Sequence, residues 1–337
     1  MAGRRRTPSD THTMERGASG AISRSVGDGA VRELGRERVA EIQRARLLAA
    51  MIDVCAERGV TDVTVAHVVE RAGVSRRTFY EIYTDREECF LEAIDEGIAR
   101  ASRYVLDGYD ETARWVDRMR GALTALLAFL DRERATGRLL IVESLAAGDS
   151  ALSRRRAAIE RMIAFVDEAT AEIKTGKQTP LLTAEGVVGG VLSILHSRLL
   201  VDTPDSFLEF TGPLACMIVL PYLGAAAARR ELSRPVPKAP VSTDRAQRDP
   251  LSQLDMRLTY RTMRVLLAVA AQPGDSNRGV AARAGVEDQG QISKLLARLE
   301  KLGLVVNKSA VTGTGAPNAW ALTKQGEQVH VALVARV

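Results

Sequence analysis

Ser75 is followed directly by Arg76, Arg77 and Thr78, with Tyr80 two positions further on. An arginine can donate two parallel hydrogen bonds to guanine O6 and N7, while Thr and Tyr can bond phosphate oxygens or touch thymine methyl groups. Arg86 falls in the first turn of the next predicted helix, where free backbone N–H groups also favour phosphate. With Thr64, Ser75 and Tyr83 at the ends of two short helices, these residues make a candidate DNA-contacting set. Catalytic chemistry has no comparable constellation: four histidines are scattered, no H-E-x-x-H or C-x-x-C occurs, and no G-x-G-x-x-G follows a strand. Cys55, Cys89 and Cys216 are odd in number and each sits in a helical pattern, which predicts reduced, buried thiols and neither disulfides nor a metal. The expectation is a protein that is not an enzyme and uses no metal and no cofactor.

Such side chains read DNA only when one short helix braces another, so that the second lies along base edges in the major groove. Val39, Ile42, Ala45, Ala49, Ile52 and Ala56 recur at three-four spacing and predict a first helix ending at Gly59. Thr64 is an N-cap for a short helix carrying Val65, Val68, Val69 and Ala72. Gly73 supplies the tight turn, and Ser75 caps the next helix, which runs to about Tyr83. Val68, Ala72, Val74 and Phe79 are the predicted apolar contacts between the two. Thr84 and Glu87 form a T-x-x-E capping box for a longer helix through Cys89, Phe90, Ala93, Ile94 and Ile98.

Residues 37 to about 100 thereby resemble the N-terminal DNA-binding domain of the TetR family of transcription regulators, through the run Ala72-Gly73-Val74-Ser75, then Thr78-Phe79-Tyr80, and Arg86 with Glu87 and Glu88. Ile82 departs from that pattern, standing where many members have a His or Tyr at phosphate. The resemblance implies a helical body that binds a small molecule and dimerises through its last two long helices, and it favours repression over activation. From Tyr109 to Leu232 helix follows helix, with breaks predicted near Gly137, Gly148, 176–180 and 203–205. Two segments suit a dimer seam: Gly186, Gly189 and Gly190 among Val187 to Leu195, and Leu214 through Leu223 into Ala225 to Ala228. Trp115, Phe129, Met162 and Phe165 are candidates to line an apolar ligand pocket, with Glu143 and His196 as polar handles.

Pro235, Pro237, Pro240 and Pro250 mark a linker over 233–255. Beyond it, 256–337 reads as helix (256–271), helix (278–283), helix (289–302), strand, loop, strand, helix. Ile292, Leu295, Leu296, Leu299 and Leu302 form a buried face behind an Asp288–Gln291 capping box. The other face offers Gln289, Gln291, Ser293, Lys294 and Arg298 to DNA, with Lys308, Thr312 and Thr314 as wing residues. This segment resembles the winged helix-turn-helix of MarR-like regulators, a module that reads DNA or binds protein.

The net charge of +5 is uneven: about −3 over 37–106 and +6 over 256–337. The first head is therefore a locally basic tip on a net acidic domain, and the C-terminal domain is the net basic one. Residues 1–36, rich in Arg, Gly and Ser, predict a disordered basic leader, with Met14 as an alternative start. No apolar stretch follows Arg4 to Arg6, and the runs 181–195 and 214–228 are broken by Glu185 or Pro221 and by glycine, so neither reads as a membrane span and the expected compartment is the cytoplasm. The composition, 46% hydrophobic and 4% aromatic, predicts a mainly α protein. Its expected parts are the leader (1–36), a helix-turn-helix head (37–100), a helical ligand-binding and dimerisation body (101–232), the linker and the winged helix (256–337). The expected function is a homodimeric, sequence-specific regulator whose partners are duplex operator DNA and a small molecule. A nonspecific architectural DNA binder is the alternative.

Overall fold

Gly59 and Gly73 punctuate the first ninety residues, each with a positive φ that ends one helix and re-aims the next. The computed structural model describes residues 39–109, 112–168, 179–201, 206–237, 260–311 and 318–334. The expected leader, most of the linker, and Thr312 and Thr314 lie outside the described residues. Two compact units are present, one within Gln43–Arg257 and one in the C-terminal part from Leu258.

α1 spans 39–58, of which 43–58 fall in the first unit. A 3-10 turn at Val60–Asp62 leads to α2 (Val65–Ala72), α3 (Arg76–Ile82) and the 22-residue α4 (Arg86–Asp107). Then come α5 (Trp115–Arg132), α6 (Arg134–Ile141), a 3-10 turn at Glu143–Leu145 and α7 (Asp149–Asp167). Finally α8 (Thr183–Leu200) and, after a 3-10 turn at Phe207–Phe210, α9 (Thr211–Ser233) complete the body.

The head core gathers Leu47, Met51, Val54, Cys55, Val68, Val74, Phe79 and Ile94, with Leu139 and Ala151 of the body packed into it. Val68, Ala72, Val74 and Phe79 are all buried as the spacing predicts. The α1 stripe is partly the expected one: Val39 and Ile52 are buried and Ile42 and Ala56 half-buried, but Ala45 and Ala49 are exposed, and Leu47, Ala50, Met51, Val54 and Cys55 complete the inward face. Larger side chains bury more apolar area than alanine and set the phase. The cap of α4 moves by one residue. Asp85 accepts from the Glu88 N–H (2.8 Å), and the Glu88 carboxylate accepts from both the backbone N–H and the hydroxyl of Thr84 (2.7 Å each), which holds its pKa below the usual value.

In the body, Trp115, Met119, Leu127, Leu195, Phe207, Leu214, Ile218 and Tyr222 share one core. The α5/α6 break lies at Glu133 and not at Gly137, which sits inside α6 pressed against the Leu130 side chain. α9 is not the continuous helix expected. Gly224 has φ 76° and ψ 177°, and a Cβ on Gly212 would stand 3.3 Å from the carbonyl oxygen of Leu232. Twenty residues of straight helix would span about 30 Å, so the chain reverses at Gly224 and 225–233 returns along 211–223. A buried ion pair fixes the returning arm: Arg120 on α5 donates to Glu231 Oε2 (3.1 Å) and to the carbonyl of Pro235 (3.0 Å). Phe207–Ser233 is, among the described residues, a helical segment long and apolar enough to cross a membrane; here Phe207, Leu214, Ile218, Val219 and Tyr222 are buried in the body core.

The C-terminal unit contains α10 (Tyr260–Ala271), α11 (Asn277–Ala284), α12 (Gln289–Lys301), β1 (Val305–Asn307), a 3-10 turn (Lys308–Val311), β2 (Trp320–Leu322) and α13 (Lys324–Val334). β1 and β2 pair antiparallel with Val306 opposite Ala321, and an isolated bridge from Asp275 to Trp320 adds a third short edge. Thr323 caps α13 by accepting from the Gly326 N–H (3.0 Å).

Two expectations follow. Gly224→Ala, in a backbone region essentially reserved for glycine but with open space at the Cβ position, should destabilise the protein by about 1–3 kcal/mol in urea unfolding. Burial pushes the Cys55 and Cys89 thiols from 9.0 up to about 12. The unfolded chain releases those protons first, so the stability they contribute is complete below pH 9.0 and is lost as pH rises towards about 12. Urea midpoints measured across that window should fall, and a flat profile contradicts the burial assignment.

Candidate nucleic-acid interface and its support

The Thr64 hydroxyl accepts from the His67 N–H (3.3 Å) and starts α2. At its end Gly73 takes the left-handed conformation (φ 64°, ψ 33°), and the N–H groups of Gly73 and Val74 return to the carbonyls of Glu70 and Val69 (3.2 and 3.1 Å). Ser75 then caps α3, accepting from the Thr78 N–H (3.0 Å), and its hydroxyl bonds that of Thr78 (2.8 Å). Phe79 is fully buried and packs on Tyr80 (centroids 5.4 Å) and Tyr83 (5.6 Å), so α3 has one fixed roll about its axis.

That roll leaves Arg76, Arg77 and Tyr80 outward, the last 58% exposed. Arg77 pairs across one turn with Glu81 (2.8 Å), both side chains mostly in solvent. Such an exposed pair contributes well under 1 kcal/mol and leaves the guanidinium free to exchange partners. Arg71 is instead a brace: it donates to both carboxylate oxygens of Glu57 (2.8 and 2.6 Å), joining α2 to α1 and lowering the Glu57 pKa.

Two members of the expected set are turned inward. Tyr83 is only 2% exposed, and burial, with Cys89 and Glu92 nearby, raises its phenol well above the usual value. Arg86, half-buried, donates through Nη1 to the carbonyls of Val60 (3.0 Å) and Val63 (2.7 Å). Both shape the floor under α2 and α3.

Val60 is held from the other side as well. Its N–H donates to Glu143 Oε2 (2.9 Å), while Arg138 Nε donates to Oε1 of the same carboxylate (3.2 Å) and Arg138 Nη1 donates to the carbonyl of Leu199 at the end of α8 (3.3 Å). Glu143, expected as a ligand handle, is thus a 6% exposed link between body and head. The four apolar ligand candidates lie in or against one body core, packed on neighbouring side chains. Trp115 packs on Tyr222 (5.4 Å), Phe129 on Tyr104 (5.3 Å) and Phe165 on Tyr109 (5.6 Å), and Met162 lies partly buried against the body core. His196 alone of the six lines the groove between α7 and α8.

In the C-terminal unit Asp288 caps α12 through the N–H groups of Gly290 and Gln291 (2.7 and 3.2 Å). Gln289, Lys294 and Arg298 are exposed, Gln291 is half-buried, and Lys308 is exposed just after β1. The Ser293 hydroxyl is engaged internally, accepting from Asn277 Nδ2 (3.1 Å). Asn277 Oδ1 in turn accepts from Trp320 Nε1 (2.6 Å) and Asn318 Nδ2 (3.0 Å), and Asn307 Nδ2 donates to Asn318 Oδ1 (2.8 Å). This amide chain joins the start of α12 to both strands.

Glu143→Gln keeps the shape and removes the charge that Arg138 and the Val60 N–H share. The expected cost is about 1–3 kcal/mol in denaturant unfolding; an unchanged midpoint excludes Glu143 as the link.

Residues 47–93 match the family model described as bacterial regulatory proteins, tetR family. No curated protein matches the chain. Among solved structures, it is similar to the fatty acid degradation regulator FadR from Bacillus halodurans, with 13% identity and a TM-score of 0.47 over 52% of this chain and 94% of that one. A second is the transcriptional regulator FadR from Bacillus subtilis in complex with stearoyl-CoA, at 14% identity and a TM-score of 0.46 over 54% and 98% of the two chains. A third is a TetR-like transcriptional regulator from Rhodococcus sp. RHA1, at 20% identity and a TM-score of 0.44 over 54% and 97%. The matched residues 47–93 span the helix-turn-helix head, with the caps, turn and buried contacts described above.

Proposed function

We propose that the whole chain is a cytoplasmic, sequence-specific transcription regulator of the tetR type, a homodimer whose helical body responds to a small molecule, acting as a repressor. The observation that carries this reading is α3: a short helix fixed by Phe79 and the Ser75 cap, with Arg76, Arg77 and Tyr80 exposed along it. We assign base contact to Arg76 and Arg77, and phosphate contact to Tyr80 with Thr64, Ser75 and Thr78 at the helix starts. Tyr83 and Arg86 take supporting roles.

The second copy packs on α8 and α9. A Cβ on Gly190 would meet Met217 Cε at 3.6 Å, which places α8 against α9, and Gly186, Ser197, Leu220 and Leu223 on these two helices are exposed. A seam of small and apolar residues suits a four-helix dimer contact. Signal passes from body to head along Leu199, Arg138, Glu143 and Val60, whose bonds are all within 3.3 Å, and changes the distance between the two heads.

The C-terminal unit is proposed as a second DNA reader of winged-helix type. Helix, helix, helix, hairpin and helix follow in that order, the segment carries a net charge of +6, and α12 exposes Gln289, Lys294 and Arg298.

One experiment tests the reading: selection of bound duplexes from a random pool by the full-length protein, with gel shifts on the winners and the particle mass from light scattering. A single enriched motif with two half-sites and a dimer mass are expected. Arg77→Ala should weaken that site by about 1–3 kcal/mol relative to random DNA. Lys294→Ala with Arg298→Ala should weaken binding and flatten its salt dependence. A pool with no enriched sequence, or a monomer at micromolar concentration, rejects the proposal; unchanged affinity in the second variant rejects DNA contact by α12.

A further inference from the structure

α7 and α8 leave an open groove of about 770 Å³ between them, a volume in the range of small-molecule sites. Leu152, Ile159 and Ile163 on α7 and Leu192 on α8 make it apolar. Arg155 enters the same lining half-buried, and its Nε is shut off from solvent with no hydrogen-bond partner among the described residues. Its neighbour Arg154 is fully engaged, holding both oxygens of Asp95 on α4 at 2.9 Å. Among the described residues nothing comparable meets Arg155, and burial lowers the guanidinium pKa. The groove's acidic residues, Glu160 and Glu185, are exposed to solvent.

A partly desolvated guanidinium without a partner is costly, and its planar fork matches a carboxylate. We infer that this groove binds an organic anion, a carboxylate carried on an apolar body, with Arg155 as the partner of the headgroup and the leucine and isoleucine side chains as the seat of the rest. The inference rests on the reading of the body as ligand-responsive and gives that reading a ligand class. The groove also lies where an occupant can act. Leu145 lines it from the same turn that carries Glu143, and His196 lines it one turn before Leu199, whose carbonyl Arg138 holds. An occupant therefore lies beside the turn that carries Glu143 and beside the last turns of α8, the two elements that Arg138 joins.

Titration calorimetry of the full-length protein with octanoate and with 1-octanol tests this, using the unmodified chain, Arg155→Met and Gly189→Leu. Gly189 lines the groove, and a Cβ there meets nothing within 4 Å, so leucine fills the groove without straining α8. The expected result is octanoate binding that falls at least about tenfold in each variant, with octanol weaker than octanoate by a similar factor. No octanoate binding at millimolar concentration, equal binding of acid and alcohol, or unchanged affinity in either variant overturns the site. A dimer that Gly189→Leu splits, in a protein that never binds octanoate, identifies the occupant as a second copy of the chain and also overturns it. Because the readout is binding alone, this outcome is independent of whether the head selects an operator.

Discussion

The backbone N–H of Val60 follows a helix end and a left-handed glycine, so neither α1 nor α2 can accept its proton, and Val60 itself is buried. A buried N–H left unpaired costs as much as a lost hydrogen bond. Glu143, 83 positions away, supplies the acceptor and in doing so fixes where the head stands on the body. Arg86 completes the clamp by taking the Val60 and Val63 carbonyls. The turn before α2 is thereby held from two sides, and α2 in turn sets the angle at which α3 presents Arg76 and Arg77.

The same carboxylate is itself held. Arg138 divides its donors between Glu143 and the end of α8, so the position of α8 and the position of the turn at Val60 are not independent. Bonds of ordinary strength suffice for this, because the Glu143 carboxylate and the residues Leu199 and Val60 at the two ends are buried. The Arg120–Glu231 pair plays the corresponding part at the other end of the body, where it holds the returning arm of α9 to α5. Breaking either pair strands a buried charge, which is why such pairs fix geometry more surely than they add stability.

What was legible in the sequence was local. The caps at Thr64 and Ser75, the turn at Gly73 and the apolar contacts Val68, Ala72, Val74 and Phe79 lie within sixteen residues and follow from spacing alone. Where the signal was weak, phase slipped: alanines at 45 and 49 suggested a face that leucine and methionine two positions on actually set. Where the partner was distant, roles changed. Glu143 looked like a ligand handle and Arg86 like a phosphate contact because nothing in their neighbourhood in sequence shows the Val60 turn between them. Gly224 sits in an alanine-rich run that reads as helix, and only the proximity of Gly212 to Leu232 reveals the reversal. Asn277, Asn307 and Asn318 give no sign of their shared network in the sequence, since an asparagine at the end of an element is unremarkable until its partners are known.

The Asn277–Trp320 bond has an optical consequence. The chain has two tryptophans, Trp115 and Trp320, and they fall in different units, each nearly buried. Trp115 sits against the Tyr222 ring in an apolar core, whereas the Trp320 indole N–H donates to an amide oxygen at 2.6 Å. With one indole in each unit, the fluorescence of the unlabelled protein draws on both the helical body and the C-terminal unit, and replacing either tryptophan leaves a reporter for the other.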